Sequence, residues 1–292
     1  MYEGGKMETR PFGSTGEQFP ILSFGAQRIV DEHDCTEEEA VAILNTAIDR
    51  GIRYFDTAWV YSAGQSETRV GLVAKNRRDE MWIATKATER TREAARKQLD
   101  ESLGRLQTGF VNEWRMHNVG SLEDLDKCFA KGGVLEAMLQ ARDEGLVRHI
   151  SISGHTDPQV QIEALRRFDF DSVLIAVSVL DHFIYSFAEE FLPVANHKGV
   201  ATIAMKVFAF GKLGPLYDRA LKYTLGLPVS TAIVGCSSME ELENDLAVAE
   251  SFVPLSGPER LELFGEVMPM VTPANLPWKA NDWGNPTGWN ER

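Results

Sequence analysis

Short apolar runs alternate along this chain with longer segments of helical period, the pattern that a parallel sheet with crossover helices leaves in a sequence. Eight such runs predict strands, over residues 21–26, 53–57, 81–86, 111–117, 149–153, 172–177, 201–207 and 231–235. The segments between them carry helix signals. After the first strand, Thr36 and Glu39 have capping-box spacing, Ala40, Ile43, Leu44, Ala47 and Ile48 repeat at i, i+3, i+4, and Gly51 supplies a stop. A second stripe runs through Ala95, Leu99, Leu103 and Leu106 within 91–106, and Asp157 before Pro158 makes an N-cap with a first-turn proline. Eight strands, each followed by a helix, close most simply into a (β/α)8 TIM barrel.

Two segments fall outside the repeat. Gly13, Ser14, Thr15 and Gly16 lie between short apolar flanks and predict an N-terminal hairpin over 10–19. After a barrel core at about 21–252, an extension over 256–292 opens as a short helix and ends in a stretch holding Trp278, Trp283 and Trp289. Exposing three indoles is unfavourable, so this tail is expected to dock over or beside the barrel. No Gly/Ser/Pro linker or shift of composition interrupts residues 1–292, and one domain is expected.

Composition narrows the function. A formal charge of −13 with no Lys/Arg run argues against a surface for nucleic acid or anionic membrane. No run reaches the ~20 apolar residues of a membrane span. The first ten residues hold charges and glycines where a signal peptide is apolar, so a cytoplasmic protein is expected. Cys35, Cys128 and Cys236 are far apart and show no metal-ligand spacing, which predicts reduced thiols and no metal site.

Strand ends converge at the C-terminal face of such a barrel, and the reactive residue types collect there. Asp56, Lys86 and His117 lie at the ends of the second, third and fourth predicted strands, and Tyr61 follows in the loop after Asp56. Singly, each has an ordinary structural explanation. Together they form a proton-transfer group, because a tyrosine with a pKa of ~10 needs a nearby cation to be an effective acid at neutral pH. Lys86 would supply that cation, Asp56 would hold it, and His117 would meet the substrate oxygen.

The segment Phe55-Asp56-Thr57-Ala58-Trp59-Val60-Tyr61, with Glu67 opening the next helix, Lys86 in Ile83-Ala84-Thr85-Lys86 and His117 in Trp114-Arg115-Met116-His117, resembles the signature of the aldo-keto reductase family. The likeness extends over nearly the whole chain. It implies an NAD(P)-dependent oxidoreductase that moves a hydride between nicotinamide and an aldehyde, ketone or sugar, with Tyr61 as general acid/base. It further implies Ser153 against the nicotinamide carboxamide. Phe208, Gly211, Lys212 and Leu213 after the seventh strand, and Gly235, Cys236, Ser237 and Ser238 after the eighth, would hold the pyrophosphate and adenosine.

The chain departs from the family pattern in places. Ser153-Gly154-His155 stands where many members have Ser-Asn, and Leu174, Ile175 and Ala176 occupy the sixth strand where a glutamine is often found. In the eighth loop, Gly235, Cys236 and Glu241 stand where NADPH-preferring members often have a Lys-Ser pair and an Arg, with Asn244-Asp245 in place of Glu-Asn. NADP follows from the resemblance, whereas Glu241 and the missing clamp favour NAD, since a carboxylate repels a 2′-phosphate. Lys212 is a candidate compensating cation, and Ser238 with Glu241 also fits a capping box.

Two other readings stay open on the residues alone: a Schiff-base enzyme using Lys206 or Lys86, and a nicotinamide-binding regulatory subunit. Strand alternation adds one structural expectation. If His117 and Ser153 point inward, then Arg115, Glu113, Ser151 and His149 do too, and Arg115 pairs with Glu113 in a buried polar network.

Overall fold

The computed structural model describes residues 7–291, so residues 1–6, part of the stretch read above for a leader, lie outside the described residues. All eight predicted strands form: β1 (Leu22–Gly25), β2 (Tyr54–Asp56), β3 (Trp82–Ala87), β4 (Val111–Met116), β5 (Val147–Gly154), β6 (Ser172–Ala176), β7 (Ala201–Met205) and β8 (Thr231–Val234). They pair in parallel in sequence order, and β8 returns to β1 through Ala232↔Leu22, Ile233↔Ser23 and Val234↔Phe24, which closes the barrel. The strand ends shift by one or two residues from the expected bounds. At β7 the cause is visible: Lys206 adopts φ 62 and turns the chain out of the sheet.

The helices around the barrel are α1 (Glu37–Asp49), α2 (Gln65–Arg77), α3 (Arg92–Leu106), α4 (Leu122–Phe129), α5 (Val134–Asp143), α6 (Pro158–Arg167), α7 (Leu192–Lys198), α8 (Tyr217–Leu225) and α9 (Met239–Glu250), followed by α10 (Gly257–Val267). The capping box of α1 is complete: Thr36 Oγ1 accepts from Glu39 N at 3.2 Å and the Glu39 carboxylate accepts from Thr36 N at 2.8 Å. Asp157 caps α6 ahead of Pro158, as its sequence predicts. The box expected at α9 is only half built. Ser238 accepts from Glu241 N, but the Glu241 carboxylate accepts instead from Ser237 N at 2.7 Å and from Arg28 at 3.0 Å.

The two ends of the barrel are closed differently. Thr9–Pro11 and Gln18–Pro20 pair as the predicted hairpin. The buried rings of Phe12 and Phe19 pack with Tyr54 and Trp82 at centroid distances of 5.0 to 5.8 Å, sealing the N-terminal end. Gly13 is required there, since at φ +55 a Cβ would lie 2.5 Å from Ala201 N at the start of β7. At the C-terminal end the tail docks over the loops that follow β5 and β6. Trp278 is buried and donates through Nε1 to Asp181 at 2.8 Å, and Lys279 Nζ donates to the carbonyls of Thr156 and Tyr185 at 3.1 and 2.8 Å. Trp283 reaches His155 and Phe210 at the barrel mouth. Among the described residues no helix is long and apolar enough to cross a membrane.

Between these ends the interior is polar on one side. Arg115 is fully buried; its guanidinium pairs with the carboxylates of both Glu113 and Asp56 and donates to Tyr54 Oη at 2.7 Å and Ser151 Oγ at 3.0 Å. Ser172 Oγ donates to Glu113 Oε1 at 2.7 Å. His149 sits lower and is less buried, stacked on Trp82 at 4.9 Å and 3.1 Å from Asp171. Parity along β4 and β5 is thus the expected one, with no bulge turning Glu113 outward. Arg115→Leu leaves Glu113 without its ion partner and Asp56 with one cation instead of two, so it should lower the unfolding free energy by about 3 to 5 kcal/mol. Converting Glu113 and Arg115 together to apolar residues should recover part of that loss. A denaturation midpoint within about 0.5 kcal/mol of the parent for Arg115→Leu would refute the network.

Candidate active site

The loop that carries Tyr61 is strained and clamped from behind. Ser62, Ala63 and Gly64 follow Tyr61 at φ 47°, 53° and 90°. The left-handed region costs an ordinary residue about 1 to 2 kcal/mol, so two such residues persist only where surrounding contacts hold them. Glu67, buried in the first turn of α2, accepts from Thr85 Oγ1 at 2.6 Å and from Arg105 Nη1 at 3.1 Å, and Arg105 also donates to Trp59 O at 3.0 Å. Gly64 leaves room for this clamp, because a Cβ there would lie 2.4 Å from the Arg105 guanidinium.

The four residues proposed from the sequence converge. Lys86 Nζ donates to the Asp56 carboxylate, to Thr57 O at 2.6 Å and to Tyr61 Oη at 3.3 Å, and lies 4.7 Å from the Tyr61 ring centroid. The His117 ring meets that of Tyr61 edge-on at 5.8 Å. Its Nδ1 is buried and has no hydrogen-bond partner among the described residues. Burial lowers the Lys86 ammonium to about 8, against the pull of Asp56. Burial also holds His117 well below its usual value, helped by the charges of Lys86 and Arg115. The placement of Lys86 beside Tyr61 predicts a lowered phenol pKa. Instead the phenol is pushed up, first by burial and then by the Asp56 carboxylate, since Asp56 and Thr57 absorb much of the Lys86 charge.

A cavity of about 540 Å³ runs from Asp56 and Tyr61 past Lys206 to Glu241 and Asp245. Of the residues expected to hold a dinucleotide, Phe208, Gly211, Gly235, Glu241 and Asp245 line it. Cys236 and Leu213 are buried behind the wall, while Lys212 and Asn244 are exposed and outside the lining. Ser237 accepts from Arg28 at 3.0 Å, and Ser238 is occupied in capping α9. Ser153 is also outside the lining. Its hydroxyl accepts from Asn118 N at 2.9 Å and donates to Met116 O at 3.2 Å, tying the ends of β4 and β5. His155 is buried with Nδ1 2.7 Å from Asn118 Oδ1.

The sequence reading assigned no cofactor or catalytic role to Gln27 and Arg28 in the loop after β1. Gln27 and Arg28 line the cavity, and Arg28 spans Gly235 O at 3.2 Å, Ser237 and Glu241. The rule used for Asp56 and Lys86, that side chains just past a strand end face the mouth, applies equally to Arg28 and could have found it. The shape suits an extended nucleotide. Gly25 and Gly235 bring two backbones together where a Cβ on Gly235 would lie 3.1 Å from Gly25 O, and Gly211 sits at φ +82 in the loop after β7. At the far end Tyr217 stacks on Phe208 at 4.7 Å and donates to Asp245, whose carboxyl burial pushes up to about 7. Among the described residues no group of three or more His, Cys, Asp or Glu gathers as a metal site.

The family model for the Aldo/keto reductase family matches residues 21–224. The L-galactose dehydrogenase of Arabidopsis thaliana is 27% identical over 318 aligned residues, spanning 94% of this chain and 97% of that protein. The D-threo-aldose 1-dehydrogenase of Pseudomonas sp is 28% identical over 72% of this chain and 73% of that one. Among solved structures, the holo form of aldo-keto reductase AKR11C1 from Bacillus halodurans superposes with a TM-score of 0.74 at 24% identity, covering 88% of this chain and 95% of the other. The chain belongs to the aldo-keto reductase family and is an NAD(P)-dependent oxidoreductase of that type.

Proposed function

We propose that this enzyme interconverts a small aldehyde, ketone or sugar carbonyl with its alcohol, working as one domain, with Tyr61 as the general acid/base. The observation that carries the reading is the 3.3 Å contact from the Lys86 ammonium to the Tyr61 hydroxyl beside a cavity of about 540 Å³ that reaches to Glu241 and Asp245. The nicotinamide, when bound, supplies or takes the hydride at the substrate carbon. Tyr61 keeps its proton across the neutral range and is therefore loaded to give it to the oxygen of a carbonyl being reduced. Lys86, lowered to about 8, is the stronger acid of the pair and stabilises or reprotonates the phenolate as that proton leaves. Asp56, held on its other side by Arg115, fixes the ammonium. His117 stays neutral and so can hydrogen-bond a substrate oxygen without adding charge. The sugar-oxidising relatives, by their names, support the sugar end of the substrate range.

Discrimination between NAD and NADP should be weak. Glu241 stands where a 2′-phosphate clamp is expected, but Arg28 already neutralises it, and the same guanidinium can turn to a phosphate. Lys212, exposed and off the groove, is not the compensating cation in this reading.

Tyr61→Phe should lower kcat by about 10²- to 10⁴-fold while nucleotide affinity, followed by fluorescence quenching, changes little. A variant keeping more than about a tenth of parental kcat would remove Tyr61 from the role. The acid form of Lys86 is needed for reduction, so kcat/KM for carbonyl reduction should fall as pH rises through about 8, with oxidation rising over the same interval. An inflection unmoved in the residual activity of Lys86→Met would assign that titration elsewhere. Arg28→Ala should reduce kcat/KM for NADPH by roughly tenfold or more while changing that for NADH less, because it both removes a cation and frees Glu241. Equal losses with the two cofactors would show that Arg28 does not face the 2′ position.

A further inference from the structure

Of the three cations whose charges meet around Asp56 at and beneath the barrel mouth, Lys86, Arg115 and Lys206, two are balanced among the described residues. Lys86 and Arg115 are paired with Asp56 and Glu113. Lys206 lines the same cavity as Asp56 and Tyr61, and among the described residues its ammonium makes no hydrogen bond or ion pair. Its contact is with the face of the Phe210 ring, 4.3 Å away. The acids whose fields it feels are committed elsewhere. Asp56 holds Lys86 and Arg115, while Asp181 accepts from Ser178 N at 2.9 Å, Ser178 Oγ at 2.6 Å and Trp278 Nε1 at 2.8 Å. Phe210 packs against Trp278 and Trp283, and Trp283 packs on His155 at 5.1 Å. The lysine is therefore partly sheltered from water by aromatic walls, where an unpaired charge is costly and an incoming anion is correspondingly favoured. Its backbone is itself an outlier at φ 62, a conformation that an ordinary residue keeps against a cost.

We infer that Lys206 recognises an oxyanion of the substrate, and that the enzyme's substrates are carbonyl compounds, or the matching alcohols, that carry a carboxylate. This rests on the carbonyl-reduction reading above. The cofactor pyrophosphate is the other source of an oxyanion in this cavity. The contacts place Lys206 on the wall shared with the tail and the β5 loop, while Arg28 and Glu241 mark the opposite end, and this favours the substrate.

The test uses ω-oxo acids of two to six carbons beside the matched ω-oxo amides, which differ in charge and little in shape. The parent protein should prefer at least one acid over its amide by tenfold or more in kcat/KM, Lys206→Met should bring that ratio near one, and Lys206→Arg should keep most of it. A parental ratio near one throughout, or a ratio unchanged in Lys206→Met, overturns the inference. Two further readouts do not depend on turnover. Calorimetric binding of the corresponding ω-hydroxy acids in the presence of reduced cofactor, a pair with no hydride acceptor, should be lost in Lys206→Met, and binding that persists counts against it. Nucleotide affinity by fluorescence quenching should change less than threefold. A tenfold loss of nucleotide affinity with the acid preference intact would give Lys206 to the pyrophosphate, and a borohydride-trapped adduct on Lys206 would give it to Schiff-base chemistry; either overturns the proposal. Turnover of the amides by the parent protein reports on the carbonyl-reduction reading alone, so the two failures are separable.

Discussion

The Asp56 carboxylate is shared between two buried cations, and the rest of the site depends on that sharing. One oxygen takes the Lys86 ammonium and the other the Arg115 guanidinium, with Glu113 completing two positive and two negative charges inside the barrel. Removing four charges from water is expensive, and the expense is met only where each group finds opposite charge and hydrogen bonds together. Tyr54, Ser151 and Ser172 add hydrogen bonds around the charges, Thr57 O takes a further proton of Lys86, and among the described residues only Glu113 Oε2 of the two carboxylates is left without a partner. The aromatic floor beneath, built from the hairpin and β2 and β3, keeps water from entering below. Neutrality in a dry interior lets one ammonium face Tyr61 from a fixed position.

Much of this was legible in the sequence because strand geometry converts spacing into direction. Residues at strand ends meet at one face and alternate residues share an interior, so Asp56, Lys86, His117 and the Glu113–Arg115 pair could be placed without coordinates. Alternation gives direction but neither reach nor partner. Arg115 is long enough to cross to Asp56 on β2, a contact that no rule of neighbouring positions contains. The same limit applies to the phenol of Tyr61. Proximity to Lys86 suggested a lowered pKa, yet burial and the prior claim of Asp56 on the ammonium decide it the other way.

The loops were less legible, since their backbone conformation is set by tertiary contacts. Lys212 is adjacent in sequence to Gly211, yet the turns after β7 leave it exposed while Gly211 and Phe208 face the groove. Arg28 reaches the last barrel loop because β8 pairs with β1, which brings residues 28 and 241 together only on closure. Glu241 shows the consequence: a residue that fits a capping box by spacing gives its carboxylate to Arg28 and Ser237 N, because an ion pair within reach outweighs the return bond to an exposed N-cap.

Two strained loops face each other across the cavity. Ser62 and Ala63 follow Tyr61 in left-handed conformations, and Lys206, Ala209 and Phe210 adopt them after β7. Both loops are held by interactions outside the cavity: the first by Glu67, Arg105 and Thr85, the second by turn hydrogen bonds such as Ala209 N to Lys206 O at 2.8 Å and by Trp278 against Phe210. Regular strands ending at one face can bring side chains together only at the spacing of the sheet, ~4.8 Å between neighbours. Placing a phenol over an ammonium from a neighbouring strand, and a second lysine opposite it clear of the first carboxylate, requires the backbone to turn sharply just after Tyr61 in its loop and at Lys206 as β7 ends. The left-handed turns do this, and the buried clamps behind them keep the two functional groups fixed while the mouth between them stays open.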